Sequence, residues 1–331
     1  MYPSSLLQLA ALALAASTHS SSSLAAARTQ SDDDDFDDTP LPLIIWHGLG
    51  DAFNADGIKQ VGALADAIHP GTFVYTIALG DDASSDRQAT FFGNVSAQLD
   101  GVCQLLASHP ILSTAPAVDA IGFSQGGQFL RGYVERCNFP PVRSLVTFGS
   151  QHNGITKFKA CGATDWLCRG AMALLRFNTW SAYVQSRLVP AQYFRDPEDY
   201  DNYLDHSGFL ADINNERILK NVTYKKNLAS LTNFVMFMFE DDTTAIPKES
   251  SWFEEVNGTE TIPLRARKLY QEDWLGLREL DRKGGLTFRS ITGEHMQITE
   301  QVLNDTMIDF FGPYDRKFAS QYASGFESEE L

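Results

Sequence analysis

Basic residues are scarce in this chain. Lys and Arg number 26 against 42 Asp and Glu, a formal net charge of −16 over 331 residues. The run DDDDFDD at 32–38 supplies six of those negatives, and without it the balance is still −10. Such a surface repels phosphate backbones, which argues against a nucleic-acid partner. Long apolar runs are missing too. No stretch approaches the ~20 residues of a bilayer-spanning helix, so no stable membrane span is expected. The Cys and His residues form no cluster with metal-ligand spacing, and the Gly-rich turns lack the lysine of a P-loop, so no cofactor is implied. No internal repeat is visible.

What remains is ordinary for a soluble globular protein: 44% apolar and 21% charged residues, in a chain long enough for one large or two small domains. Residues 6–16, LLQLAALALAA, have signal-peptide length, and small residues (Ala25, Ala26, Ala27) follow. Residues 1–27 therefore read as a signal peptide, although no Lys or Arg precedes the apolar core. The acidic segment 28–40 has too little apolar surface to offset chain entropy and is expected to be disordered. The four cysteines, Cys103, Cys137, Cys161 and Cys168, allow two disulfides in three pairings. Four N-x-[ST] acceptors, at Asn94, Asn221, Asn257 and Asn304, are candidate glycosylation sites. Together these features indicate the secretory pathway.

From Pro40 the pattern becomes that of a folded domain. The stretch PLPLIIWHGLGD reads as a buried strand (Leu43, Ile44, Ile45, Trp46) ending in a Gly-rich turn. A second strand is expected at FVYTIAL (73–79). Val95, Leu99, Val102 and Leu106 share one helical face. A strand around Val118–Phe123, a helix from about Gln125 to Arg136 and a strand at Ser144–Phe148 follow. Strands alternating with helices predict an α/β fold, a mostly parallel sheet covered on both faces. From about 152 to 231 only short helical segments and loops are expected. Leu167, Ala171, Leu174 and Leu175 have the spacing of one helix face, and the region reads as a helical insertion. The sheet resumes at Phe234–Phe239 and Leu286–Ile291, a helix covers about Thr299–Phe311, and 313–331 reads as a flexible tail.

Within this frame Gly122-Phe123-Ser124-Gln125-Gly126 matches G-x-S-x-G, with a strand leading in and a helix leading out. A nucleophile on a sharp strand-to-helix turn needs small neighbours, and the helix N-terminus behind it favours developing negative charge. The alternative is a serine that only caps the helix. Order favours the nucleophile. Asp242 follows the strand at 234–239, and His295 follows the strand at 286–291, in the sequence Ser, acid, His. His295 would take the serine proton and the aspartate would fix its tautomer, although spacing alone does not separate Asp242 from Asp241. The oxyanion donors are expected to be the backbone N–H groups of Gln125 and, from the turn HGLGD, Leu49. His47 is expected to be a structural hydrogen-bonder near the site. His152 comes early in the chain for the base, and His69, His109 and His206 have no chemical company.

The chain resembles the palmitoyl-protein thioesterases through LPLIIWHGLGD (41–51), GFSQGGQFLR (122–131), FLADINNER (209–217), YKKNL (224–228), SSWF and LGLREL (275–280). FLADINNER and YKKNL have no generic hydrolase meaning, which makes the likeness specific, and it runs from about 41 to 311. The resemblance implies an α/β-hydrolase domain over 41–312 whose helical insertion forms an acyl-binding lobe. It implies Ser124, Asp242 and His295 as the catalytic triad, with Asp242 favoured through the alignment of FEDDTTAIP. It also implies disulfides Cys103–Cys137 and Cys161–Cys168. A vicinal cysteine pair found in some members is absent here, where the segment reads DAFNADG (51–57). The implied substrates are S-palmitoylated proteins or peptides and long-chain acyl thioesters, and the implied destination is the lysosome or vacuole, or export. Two other readings share these residues: a secreted lipase or carboxylesterase acting on oxyesters, and a catalytically silent lipid carrier.

Overall fold

All four side chains of strand β1 (Leu43–Trp46) are buried, and they alternate between two hydrophobic clusters. Ile44 and Trp46 enter one, Leu43 and Ile45 the other. A strand apolar on both faces belongs in the middle of a sheet covered on both sides. The computed structural model, which describes residues 38–318 apart from 158–160, 163, 176 and 177, has that architecture. The other strands of the sheet are β2 (Val74–Thr76), β3 (Val118–Phe123), β4 (Val142–Phe148), β5 (Asn233–Phe239) and, after a separate hairpin of β6 (Glu255–Asn257) and β7 (Glu260–Ile262), β8 (Leu286–Ile291). Their order is β2-β1-β3-β4-β5-β8, and every pairing in this sheet is parallel.

Between the strands run α1 (Asp56–Ile68), α2 (Ala83–Phe91), α3 (Val95–Ser108) and α4 (Gln125–Arg136). Between β4 and β5 lie α5 (Trp166–Leu175), α6 (Ala182–Gln185), α7 (Tyr200–His206), α8 (Leu210–Ile213) and α9 (Val222–Ala229). Last come α10 (Lys268–Gln271), α11 (Leu277–Arg282) and α12 (Glu300–Phe310). Helices α1 and α12 cover one face, packing Ile58, Val61, Met307 and Phe310 onto Ile45, Ile121 and Val146. Helices α3, α4, α9 and α11 cover the other. Phe123, Phe148 and Phe237 stack across three adjacent strands, with centroids 5.6 and 4.4 Å apart.

The chain steps outward from β1 to β2 and returns on the other side of β1 at β3. Beyond the carboxyl ends of β1 and β3 this reversal opens a crevice, where open α/β sheets bind ligands.

Three differences from the sequence reading stand out. Helices α1 and α2 were not anticipated, although Ile58, Val61 and Ala65 bury one face of α1. The β6–β7 hairpin was missed; its two-residue turn is Gly258-Thr259, with Gly258 at φ +60°. The chain also does not leave the fold at 313. Pro313 bridges Pro40, and the Arg143 guanidinium donates to the Gly312 and Pro313 carbonyls. The expected signal peptide (1–27), most of the acidic segment and residues 319–331 lie outside the described residues. Both disulfides join the pairs implied by the resemblance: Cys103 to Cys137 and Cys161 to Cys168, with Cα atoms 6.0 and 5.7 Å apart.

Candidate active site

Ser124 sits at the carboxyl end of β3, where the chain reverses into α4, at φ 51° and ψ −120°. L-residues avoid that region, so the surroundings must impose it. Its N–H donates to the Phe148 carbonyl (2.7 Å), and its carbonyl accepts from Gly127 N–H (3.1 Å). The flanking glycines are required by close approach. A Cβ on Gly122 would lie 2.3 Å from Gly127 Cα, and one on Gly126 would lie 2.3 Å from the Trp46 carbonyl oxygen.

The Ser124 side chain makes no helix-capping hydrogen bond. Its Oγ lies 2.9 Å from His295 Nε2 instead. The His295 Nδ1 is 2.6 Å from Asp242 Oδ2, and the other oxygen of that carboxylate accepts from Thr244 and Ala245 N–H at 2.8 and 2.9 Å. Asp242 is thus held from both sides, its side chain fully buried, while Asp241 is exposed and contributes only its backbone N–H, to the Gly293 carbonyl. The geometry separates two neighbours that spacing left equivalent. With His295 as hydrogen-bond acceptor from the serine and donor to the aspartate, the arrangement can deprotonate Ser124 as it attacks a carbonyl.

Among the described residues neither the Leu49 nor the Gln125 backbone N–H has an intramolecular acceptor. Gln125 opens α4, so its N–H is free by position. Leu49 lies in a turn closed by Asp51 N–H onto the Gly48 carbonyl (3.3 Å), its own side chain 38% exposed.

Helix α2 supports this turn from beneath, a contribution the sequence reading did not find. His47 Nε2 lies 2.8 Å from Asp86 Oδ2, both side chains fully buried, and Asp86 also accepts from Phe53 and Leu79 N–H at 2.7 and 2.6 Å. Burial alone would raise the Asp86 pKa; His47 and the two N–H groups outweigh it and hold the carboxyl below its usual value. Thr90 Oγ1 accepts from Gly50 N–H (2.9 Å), and the Gln125 side chain donates to the Thr90 carbonyl (3.1 Å).

Other histidines stand apart from the site. His152 is fully buried, bonded to Thr147 Oγ1 (3.0 Å) and stacked on Phe253. Burial, with Arg131 nearby, pushes its pKa well down and keeps it neutral. His69 meets the Met307 carbonyl, His109 packs against Phe73 and Tyr75, and His206 is exposed at the end of α7. Of the sequon asparagines, Asn94 and Asn221 cap α3 and α9 through their side-chain oxygens, Asn257 is exposed at the hairpin, and Asn304 is half-buried on α12.

Ser124 and His295 open onto a cavity of about 680 Å³. Cys168, Ala171, Met172 and Leu175, one face of α5, form part of its wall with Phe91. Of the residues read as one face at 167–175, Ala171 and Leu175 line this cavity and Leu167 is buried with them.

Parallel topology, a serine on a strained strand-to-helix turn and a Ser–His–Asp relay drawn from the ends of β3, β8 and β5 define an α/β-hydrolase. Residues 42–295 match the family described as palmitoyl protein thioesterase. Palmitoyl-protein thioesterase 1 of Caenorhabditis elegans is 37% identical over 276 residues, 82% of this chain and 92% of that protein. Palmitoyl-protein thioesterase 3 of Dictyostelium discoideum is 32% identical over 286 residues, covering 85% and 91% of the two chains. Lysosomal thioesterase PPT2 of Homo sapiens is 28% identical over 255 residues, covering 74% and 78%. The chain belongs to the palmitoyl protein thioesterase family.

Proposed function

We propose that the chain removes thioester-linked long-chain fatty acyl groups, palmitate foremost, from cysteines of S-acylated proteins or peptides. One observation carries this reading: the Ser124–His295–Asp242 relay opens onto an apolar cavity of about 680 Å³, within the size range of small-molecule pockets. Ser124 Oγ attacks the acyl carbonyl as His295 Nε2 takes its proton, and Asp242 stabilises the resulting imidazolium. Leu49 and Gln125 N–H groups receive the oxyanion. The substrate sulfur leaves and takes the proton from His295, and water deprotonated by the now neutral His295 cleaves the acyl-serine, whose oxygen recovers that proton. A thiol has a pKa near ~8.5, far below an alcohol's, so its departure needs little help from a proton donor.

The acyl chain lies along the α5 face, which makes the segment between β4 and β5 the acyl-binding lobe of a single hydrolase domain. The names of relatives that include lysosomal thioesterases support a destination in the lysosome or vacuole, with export the other outcome of secretory entry. The glycosylated, secreted protein should be assayed on a palmitoyl thioester and the matched oxyester, with Ser124→Ala as control. Preferential thioester cleavage that vanishes in the variant supports the proposal. Equal or better oxyester cleavage replaces it with a lipase, and no turnover of either replaces it with a lipid carrier.

A further inference from the structure

Arg87, on α2, touches two parts of the site at once. Its Nε donates to the Gly50 carbonyl (2.8 Å), and its Nη2 lies 3.1 Å from Asp165 Oδ2. Its guanidinium carbon lies over the ring of Phe91, 5.8 Å from the centroid. Both of its polar partners line the catalytic cavity.

At the Gly50 end, Arg87 shares the hold on the turn with Thr90 and with the Asp51 N–H that bonds the Gly48 carbonyl. HGLGD carries two glycines, Gly50 sits at φ +81°, and the Leu49 side chain is 38% exposed. Side-chain packing therefore does not orient the Leu49 peptide. Its direction depends on its neighbours: Gly48, packed against Phe123 and Ser124, and Gly50, fixed at its N–H by Thr90 and at its carbonyl by Arg87. At the Asp165 end, the aspartate caps α5, accepting from Cys168 N–H through Oδ1 (3.1 Å). Helix α5 presents Cys168, Ala171, Met172 and Leu175 to the cavity. One guanidinium thus links an oxyanion-side turn to the start of the apolar wall.

We propose that Arg87 is a positioning residue for acyl transfer, fixing the Leu49–Gly50 turn relative to the acyl-binding face of α5. This rests on the depalmitoylating reading above. A guanidinium suits the task because its planar fork serves two acceptors in set directions, which an ammonium does not.

The test compares butyryl and palmitoyl thioesters at matched leaving group, using wild type, Arg87→Ala, Arg87→Lys and Asp165→Asn, with melting temperatures alongside. Asn keeps the capping oxygen of Asp165 and removes its charge. Complete loss of an oxyanion donor costs 10²–10³ in kcat, so a loosened one should cost about tenfold. Arg87→Ala is expected to lower kcat about tenfold on both substrates, and Arg87→Lys, which still reaches Gly50, to recover part of that loss. Asp165→Asn is expected to act through the α5 wall, lowering the palmitoyl-to-butyryl ratio of kcat/KM. Unchanged kcat in Arg87→Ala overturns the proposal, as does an Asp165→Asn loss that ignores chain length. If Arg87→Ala does not fold, Arg87→Lys and Asp165→Asn decide by the same criteria: a lysine variant with wild-type kcat and chain-length ratio overturns it. Failure of wild type on both thioesters instead removes the depalmitoylating reading itself.

Discussion

Gly126, in the first turn of α4, lies so close to β1 that a Cβ placed on it would stand 2.3 Å from the Trp46 carbonyl oxygen and 2.4 Å from that of His47. Neither atom belongs to a flexible side chain, so only a backbone shift relieves the clash. Gly126→Ala is therefore expected to move the nucleophile turn and the strand that leads to the oxyanion turn together. Overpacking of this kind costs about 1–3 kcal/mol, at times more. The check is a melting temperature alongside kcat: both should fall, and a variant with wild-type values of each contradicts the close approach.

The buried Asp86 carboxylate faces three groups at once: His47 Nε2, Phe53 N–H and Leu79 N–H. Asp86→Asn turns one acceptor into a donor facing a donor, and an unsatisfied buried group costs about 1–3 kcal/mol. Its carboxyl is held below the usual pKa, so the stability it contributes is present above the unfolded-state value and is lost as pH falls through the folded one. The penalty of Asp86→Asn should thus be full near neutrality and shrink below about pH 4. Urea unfolding of both proteins across pH measures it; a penalty that grows on acidification contradicts the account.

Glu135 behaves in the opposite sense. Burial pushes its carboxyl up to about 8, and the neighbouring Arg131, 2.8 Å away, offsets that only in part. The folded state therefore binds its proton more tightly than the unfolded chain, and stability falls as pH rises from about 4.5 to about 8. Glu135→Gln lacks this slope. Relative to wild type it should gain stability steadily between pH 5 and 8, a trend that thermal melts at several pH values would detect. A constant difference would mean that Glu135 is ionised throughout.

The two disulfides should have separable effects. Cys103–Cys137 closes a separation of 34 residues, for which loop entropy gives about 4 kcal/mol, whereas Cys161–Cys168 closes only 7, for about 2.5 kcal/mol. Both cysteines of the short bridge line the cavity. Cys103→Ser with Cys137→Ser should lower the melting temperature more, while Cys161→Ser with Cys168→Ser should raise KM for a palmitoyl substrate more. The reverse ordering would count against the role given to the α5 wall.

Much of this was legible in the sequence because local chemistry and global topology agree at the same residues. The run LIIW has to be buried on both faces, and G-x-S-x-G at a strand-to-helix junction leaves the glycines no other use. What was not legible depends on contacts distant in the chain. Strand spacing does not separate Asp241 from Asp242, because a large part of the difference is made by His295, 53 residues away from Asp242. Helix α2 has few apolar residues to mark its face, and its value lies in Asp86, Arg87 and Thr90 reaching back to 47–53. The β6–β7 hairpin carried only the turn glycine Gly258 as a signal, in a segment too polar to suggest strands.

The central claim is that Ser124 carries the acyl group between the two half-reactions. Rapid-quench incubation of wild-type enzyme with a palmitoyl thioester, followed by peptide mapping in acid, tests it directly. The account predicts a burst of thiol release matched by a palmitoyl ester on the peptide containing Ser124, absent in Ser124→Ala. Turnover with no such ester, or with the acyl group on another residue, would contradict it.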